Sequence, residues 1–246
     1  MSLKKHLEDL ESFRATNNEQ GIANVCFKVG DTYLQKGKWD EAKAYLREAK
    51  AICRKLGNEE GCALTAIGLG DIYHNTQSPE TARSHYEQAL DFYEKQGDEK
   101  KIANLLGRLG ELSRDQRDFS RALNAFREAR DICNTHNDQL GAAHFSERMA
   151  LVYRNQEEFG LAIETFEEAL AYYEKHRVTD RLAFVLTGLG ELEYKVGQPE
   201  KALKFLSQAL RIYRKIGAHR PAELVAAEVA AIEAALKDEK KSVDKR

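Results

Sequence analysis

Small and apolar residues recur at three- and four-residue spacing along this chain, and the whole pattern returns every forty residues. Ala23, Ala63, Ala103, Ala143 and Ala183 hold one register; Gly30, Gly70, Gly110, Ala150 and Gly190 hold a second. Ala42, Ala82, Ala122, Ala162 and Ala202 form a third, and Ala49, Ala89, Ala129, Ala169 and Ala209 a fourth. The spacing predicts two amphipathic helices per period: helix A, as from Glu59 to Thr76, and helix B, as from Pro79 to Gln96. Ser78-Pro79-Glu80 supplies an N-cap, a proline at N1 and an acid in the first turn. Helix B ends at signals such as Lys95-Gln96-Gly97, a cation and then a glycine suited to the left-handed C′ position. No segment alternates as a strand does. The expected fold class is all-α, an α-solenoid of stacked antiparallel helix pairs.

Small residues explain the stacking. Gly70 and Ala82 let helices A and B of one repeat approach, and Ala89 faces helix A of the next; Leu69, Tyr73, Tyr86 and Phe92 fill the space between. The expected organisation is a single solenoid over 1–237. It has an N-terminal capping helix (2–16), repeats 19–57, 59–97, 99–137, 139–177 and 179–217, and a C-terminal capping helix (221–237). Residues 238–246 read as a disordered charged tail. Both ends read as closed by polar-backed helices, which favours a monomer over a homo-oligomer.

The order Leu69-Gly70-x-x-Tyr73…Ala82…Tyr86…Ala89, repeated as Met149-Ala150-x-x-Tyr153…Ala162…Phe166…Ala169, resembles the tetratricopeptide repeat family over essentially the whole chain. The usual period of that family is about 34 residues. The forty-residue period here is similar to that of Leu-Gly-Asn-type scaffolds, with the extra residues expected at B-to-A junctions such as Leu56–Gly61.

The resemblance implies a right-handed superhelix whose A helices line a concave groove that holds a segment of another protein. Three ladders would then cross the groove. The first is Asp31, Asp71, Glu111, Leu151 and Glu191; one turn earlier stand Lys28, Gly68, Arg108, Arg148 and Gly188; one turn later stand Leu34, His74, Arg114, Arg154 and Tyr194. In Leu-Gly-Asn scaffolds the first ladder is asparagine, whereas here it is acidic. Phe27 and Asp31 replace the Lys and Asn of a chaperone-tail carboxylate clamp, so that mode is rejected. Arg108, Arg114, Arg148 and Arg154 would grip an acidic stretch of a partner, since guanidinium forks suit carboxylates. The competing reading is internal pairing of Arg108 and Arg114 with Glu111 at i,i+3, whereas Arg148 and Arg154 face Leu151. Asn104, His144, Phe27, Phe184 and Tyr194 would add amide, imidazole and aromatic contacts.

Composition narrows the function. Charged residues make up 32% of the 246 residues, yet the net charge is only −2, which argues against a dedicated nucleic-acid binder. The N-terminus has no signal-peptide apolar core, and no run is long enough to span a membrane, so a cytoplasmic location is expected. Cys26, Cys53, Cys62 and Cys133 form no Cys-x-x-Cys pair and read as packing residues. Neither a zinc-helix motif nor a phosphate loop nor a nucleophile elbow is present, and Asp71 with His74 would bind a metal only weakly. The expectation is a non-catalytic protein without cofactor or metal, acting as an interaction scaffold or adaptor. A ligand-responsive sensor and a self-assembling structural protein stand as alternatives.

Overall fold

The computed structural model describes residues 3–243, with side chains described as far as Asp238. Twelve helices and no strand are found among the described residues. They are α1 (Leu3–Ala15), α2 (Glu19–Gln35), α3 (Trp39–Lys55), α4 (Glu59–Asn75), α5 (Pro79–Gln96), α6 (Glu99–Asp115), α7 (Phe119–Thr135), α8 (Gln139–Asn155), α9 (Phe159–His176), α10 (Thr179–Lys195), α11 (Pro199–Lys215) and α12 (His219–Val243). Even-numbered helices are A helices and odd-numbered ones are B helices. Backbone contacts divide the chain into two compact units, Met1–Asp118 with α1 to α6, and Phe119–Arg246 with α7 to α12.

Helices α1 to α11 stop for the same local reason. In unit 1, Asn17, Gly37, Gly57, Gln77, Gly97 and Arg117 all have φ between 52° and 68°. In unit 2, Asn137, Glu157, Arg177, Gly197 and Gly217 do the same, at φ of 54° to 79°. The following amide then reaches back five residues, as Asn58 N does to Cys53 O at 2.8 Å and Ser78 N to Tyr73 O at 2.8 Å. Asn18, Asn58, Asp98 and Asp138 begin the next A helix by accepting from the amide three residues on. The junctions are therefore all short. The forty-residue period is two equal halves of twenty, and the extra residues expected between Leu56 and Gly61 lie instead within the helices, because α4 already begins at Glu59.

Packing follows the small-residue registers. A Cβ added at Gly70 would lie 2.5 Å from the Tyr86 ring, and one at Gly30 would lie 2.7 Å from Leu46 and 3.3 Å from Ala42 O. In unit 1, Ala82, Tyr86, Ala89 and Tyr93 of α5 pack with Ala63 and Ala66 of α4 and with Leu105, Leu109 and Leu112 of α6. In unit 2, Phe166, Ala169 and Tyr173 of α9 pack with α8 and with Val185, Leu189 and Leu192 of α10. Val225 and Ile232 of α12 then cover Leu186, Leu206 and Ala209.

The last helix is longer than the expected 221–237. Helix α12 continues past Leu236 to Val243, because the run Ala-Ala-Leu-Lys-Asp-Glu-Lys-Lys contains strong helix formers and no glycine or proline. Residues 244–246 lie outside the described residues.

Candidate functional site

In unit 1 the A helices present a shared cavity of about 350 Å³. Phe27, Asp31 and Leu34 of α2, Leu64, Ile67, Gly68 and Asp71 of α4, and Lys100, Lys101, Asn104 and Arg108 of α6 line it, with Leu46 of α3 beneath. The small Gly68 register leaves room for the Leu46 side chain, 2.8 Å from where a Cβ would stand. The cavity has an apolar floor on α2 and α4 and a cationic edge on α6.

Three polar groups of that cavity, Asp71, Asn104 and Arg108, are already connected to one another. Asp71 accepts from Tyr86 Oη at 2.7 Å and also from Arg108 Nη1, while Arg108 Nε donates to Asn104 Oδ1 at 3.0 Å. Burial and the facing Asp71 carboxylate both push the Tyr86 phenol upward, so its proton stays in place. Asp31 accepts from Gln35 Nε2 at 2.8 Å. Further along α6, Arg114 Nη2 pairs with Glu111 Oε2 at 2.7 Å and with Asp115 Oδ1 at 3.0 Å. His74 Nε2 lies 2.9 Å from Asp115 Oδ2. Burial alone would raise the Asp115 carboxyl, but hydrogen bonds from His74 and Arg114 outweigh it and hold it below the usual range. Phe27 is only partly exposed, because it packs against both the Val29 and the Leu46 clusters.

In unit 2, Arg154 Nη1 pairs with Glu191 Oε2 at 3.1 Å. This corrects the expectation that Arg154 meets only Leu151. Both Asp71–Arg108 and Arg154–Glu191 join residues 37 apart, one repeat less one helical turn. Ladder partners on adjacent parallel helices therefore meet diagonally, offset by one helical turn. Leu151 itself is buried. Phe184 and Tyr194 are exposed, at 39% and 45%. His144 stands beside Phe145, and burial, then Arg148 and Arg181, push its imidazole down to about 4, leaving it neutral.

Sequence reasoning missed Glu147, Lys100 and Lys101. Glu147 is fully buried, accepting from Tyr173 Oη at 3.1 Å and Arg181 Nη1 at 2.9 Å. Its register holds Phe27 and Ile67 in earlier repeats, so an acid in an apolar slot was the available signal. No group of three or more potential metal ligands is found among the described residues.

The fold is that of a helical-repeat solenoid. The family model for the tetratricopeptide repeat matches residues 21–95, 62–135 and 138–215, and the chain belongs to that family. Among solved structures, it is similar to BtubC (BKLC) from P. vanneervenii: TM-score 0.76, 20% identity, 87% of this chain and 91% of that one. It is also similar to a STAND signal-transduction ATPase with a tetratricopeptide repeat sensor from Pyrococcus horikoshii, with TM-score 0.78, 18% identity, 86% of this chain and 33% of that one. For aspartyl phosphate phosphatase F from Bacillus subtilis the values are 0.79, 15%, 92% and 58%. The chain thus spans only part of the last two proteins. No curated protein matches the sequence.

Proposed function

We propose that this chain is a non-catalytic, monomeric, cytoplasmic interaction scaffold that seats a segment of another protein against the A helices of unit 1. The observation that carries this reading is the cavity of about 350 Å³ between α2, α4 and α6. Its floor of Phe27, Leu34, Leu64 and Ile67 suits a bulky apolar side chain, which contributes on the order of 2 kcal/mol when buried. Acidic residues beside that anchor would meet Lys100 and Lys101 at the exposed edge. Arg108, Arg114 and Arg154 are engaged with carboxylates of the chain itself, so they shape and stiffen the surface rather than supply its free charge. Two further supports are that the cysteines are free thiols and that no described helix is long and apolar enough to cross a membrane.

The test is affinity capture from native lysate with wild type, Leu64→Arg, and the double variant Lys100→Glu, Lys101→Glu, each checked for helicity by circular dichroism. A partner held by wild type should be lost from Leu64→Arg and weakened in the lysine variant. A partner held equally by all three would place binding elsewhere and refute the groove reading.

A further inference from the structure

A second surface of unit 1 is built differently from the groove. Lys43, Arg47, Lys50 and Arg54 stand at i, i+4, i+7 and i+11 on α3, so they share one face of the helix over about 16 Å at 1.5 Å per residue. None of the four lines the cavity between the A helices. At the same registers α5 carries Arg83, Glu87, Leu90 and Glu94, α7 carries Leu123, Arg127, Arg130 and Asn134, α9 carries Ile163, Glu167, Leu170 and Glu174, and α11 carries Leu203, Ser207, Leu210 and Arg214. The four-cation stripe therefore belongs to α3 alone.

Lys43, Arg47 and Lys50 have neutral partners. Lys43 Nζ lies 4.5 Å from the centroid of the Tyr73 ring, and Arg47 Nη2 donates to Tyr73 Oη at 2.7 Å. Lys50 Nζ donates to Gln88 Oε1 at 2.7 Å and lies 3.4 Å from His85 Nδ1. The Tyr73 and His85 rings stack at 5.5 Å with 18° between planes, forming an aromatic floor beneath the cations. Arg54 lines an adjoining cavity of about 390 Å³ with Gln88, Asn58, Glu59 and Asp91, and Asp91 is itself paired with Lys95 at 2.6 Å. Other exposed cations of unit 1 divide between the two kinds of partner: Arg14 meets Glu48 and Lys55 meets Glu19, whereas Arg83 donates to Gln116. In unit 2, Arg127 repeats the Arg47 bond, reaching Tyr153 Oη at 2.9 Å, so the arginine–tyrosine contact by itself is structural. What distinguishes α3 is the row of cations around that contact.

The neighbouring groups register the excess of positive charge. His85 is pushed down to about 4 by burial, then by Lys50 and Arg47. Burial, then Arg54, lowers Lys50, and hydrogen bonds from Lys43 and Arg47 hold the Tyr73 phenol below its ordinary value although burial opposes them.

We propose that this face of α3, with Tyr73, His85 and Gln88, is a docking surface for an acidic segment of a partner protein. Four cations spread over about 16 Å match carboxylates spaced along a peptide, whereas one phosphate group would reach only a pair of them. Asp40, three residues before Lys43 on the same helix, borders the stripe and opposes the broad polyanion of a nucleic acid. This surface is independent of the groove, and the two readings can fail separately.

The test is fluorescence anisotropy with fluorescein-labelled octaglutamate at low ionic strength, with an oligothymidylate of equal charge as comparison. Wild type should bind the peptide saturably, and the affinity should fall as salt is added. A variant with Lys43→Gln, Arg47→Gln, Lys50→Gln and Arg54→Gln should bind about tenfold more weakly or worse, four charge pairs with the peptide having been removed. Lys43→Glu with Arg54→Glu keeps the Arg47–Tyr73 and Lys50–His85 contacts and should show the same loss, which separates lost charge from lost folding. A control variant at exposed cations of unit 2, Lys175→Gln with Lys215→Gln, should bind as wild type does. Absence of saturable binding to wild type, binding by both stripe variants as tight as that of wild type, or tighter binding of the oligothymidylate would each overturn the proposal.

Discussion

Three tyrosines occupy one register of the B helices, and their hydroxyls have three different fates. Tyr173 Oη donates to Glu147 at 3.1 Å, Tyr213 hydrogen-bonds Thr187, and the buried hydroxyl of Tyr93 has no partner. The facing A-helix position is the cause: it holds Glu147, Thr187 or, opposite Tyr93, the apolar Ile67. An unpaired buried hydroxyl costs more than its oxygen contributes. Tyr93→Phe should therefore stabilise the protein by about 1 kcal/mol, and Tyr173→Phe should destabilise it by about 1–2 kcal/mol. Urea unfolding midpoints of the two variants should move in opposite directions. His144 sets a pH dependence. Free imidazole takes its proton near 6.5, but burial and then Arg148 and Arg181 push the folded group to about 4. Between those values the unfolded chain binds more protons, so stability is complete above 6.5 and falls as the pH drops toward 4. His144→Phe should shrink the difference between urea midpoints at pH 7 and pH 4.5. The remaining slope should include His85, which is shifted in the same direction.

Helices of this chain are bounded by a left-handed residue every twenty positions, but only some of these are glycine. Gln77, Arg117, Glu157 and Arg177 adopt φ of 54° to 62°, where a Cβ is strained. Glycine at such a position relieves that strain, and the added freedom of the unfolded chain takes back part of the gain. Gln77→Gly should raise stability by about 0.5–1 kcal/mol, read as a higher urea midpoint with an unchanged slope. The converse substitution Gly97→Val places a branched side chain at φ 68° and should lower it. Both tests act on junctions alone, since Gly97 has no neighbouring atom within 4 Å of an added Cβ.

At the scale of the molecule, unit 2 ends in a helix whose apolar stripe has work to do. Val225 and Ile232 of α12 cover Leu186, Leu206 and Ala209, which would otherwise face water. Repeat proteins bury their apolar faces only against neighbours, so the last repeat depends on this cover. Truncation after Gly217 should lower the thermal midpoint by about 5 °C or more and promote self-association, visible by light scattering. An intact midpoint with a monodisperse truncated chain would show that α12 contributes little to unit 2.

Most of this architecture was legible in the chain. The four registers of Ala and Gly, the glycines at 57, 97 and 217, and the prolines at 79 and 199 located the helices, because local propensity and packing distance depend on nearby residues. The candidate site was only partly legible. Phe27, Asp31, Asp71, Asn104 and Arg108 do meet around one cavity, yet Lys100, Lys101 and Leu64 complete it and had not been singled out. Pairing was hardest to read, since Asp71–Arg108 and Arg154–Glu191 lie 37 positions apart. A sequence determines which face of its own helix a side chain occupies. Which carboxylate a given arginine meets depends on the stagger between helices and the lean of side chains across it, and only the tertiary structure sets that distance.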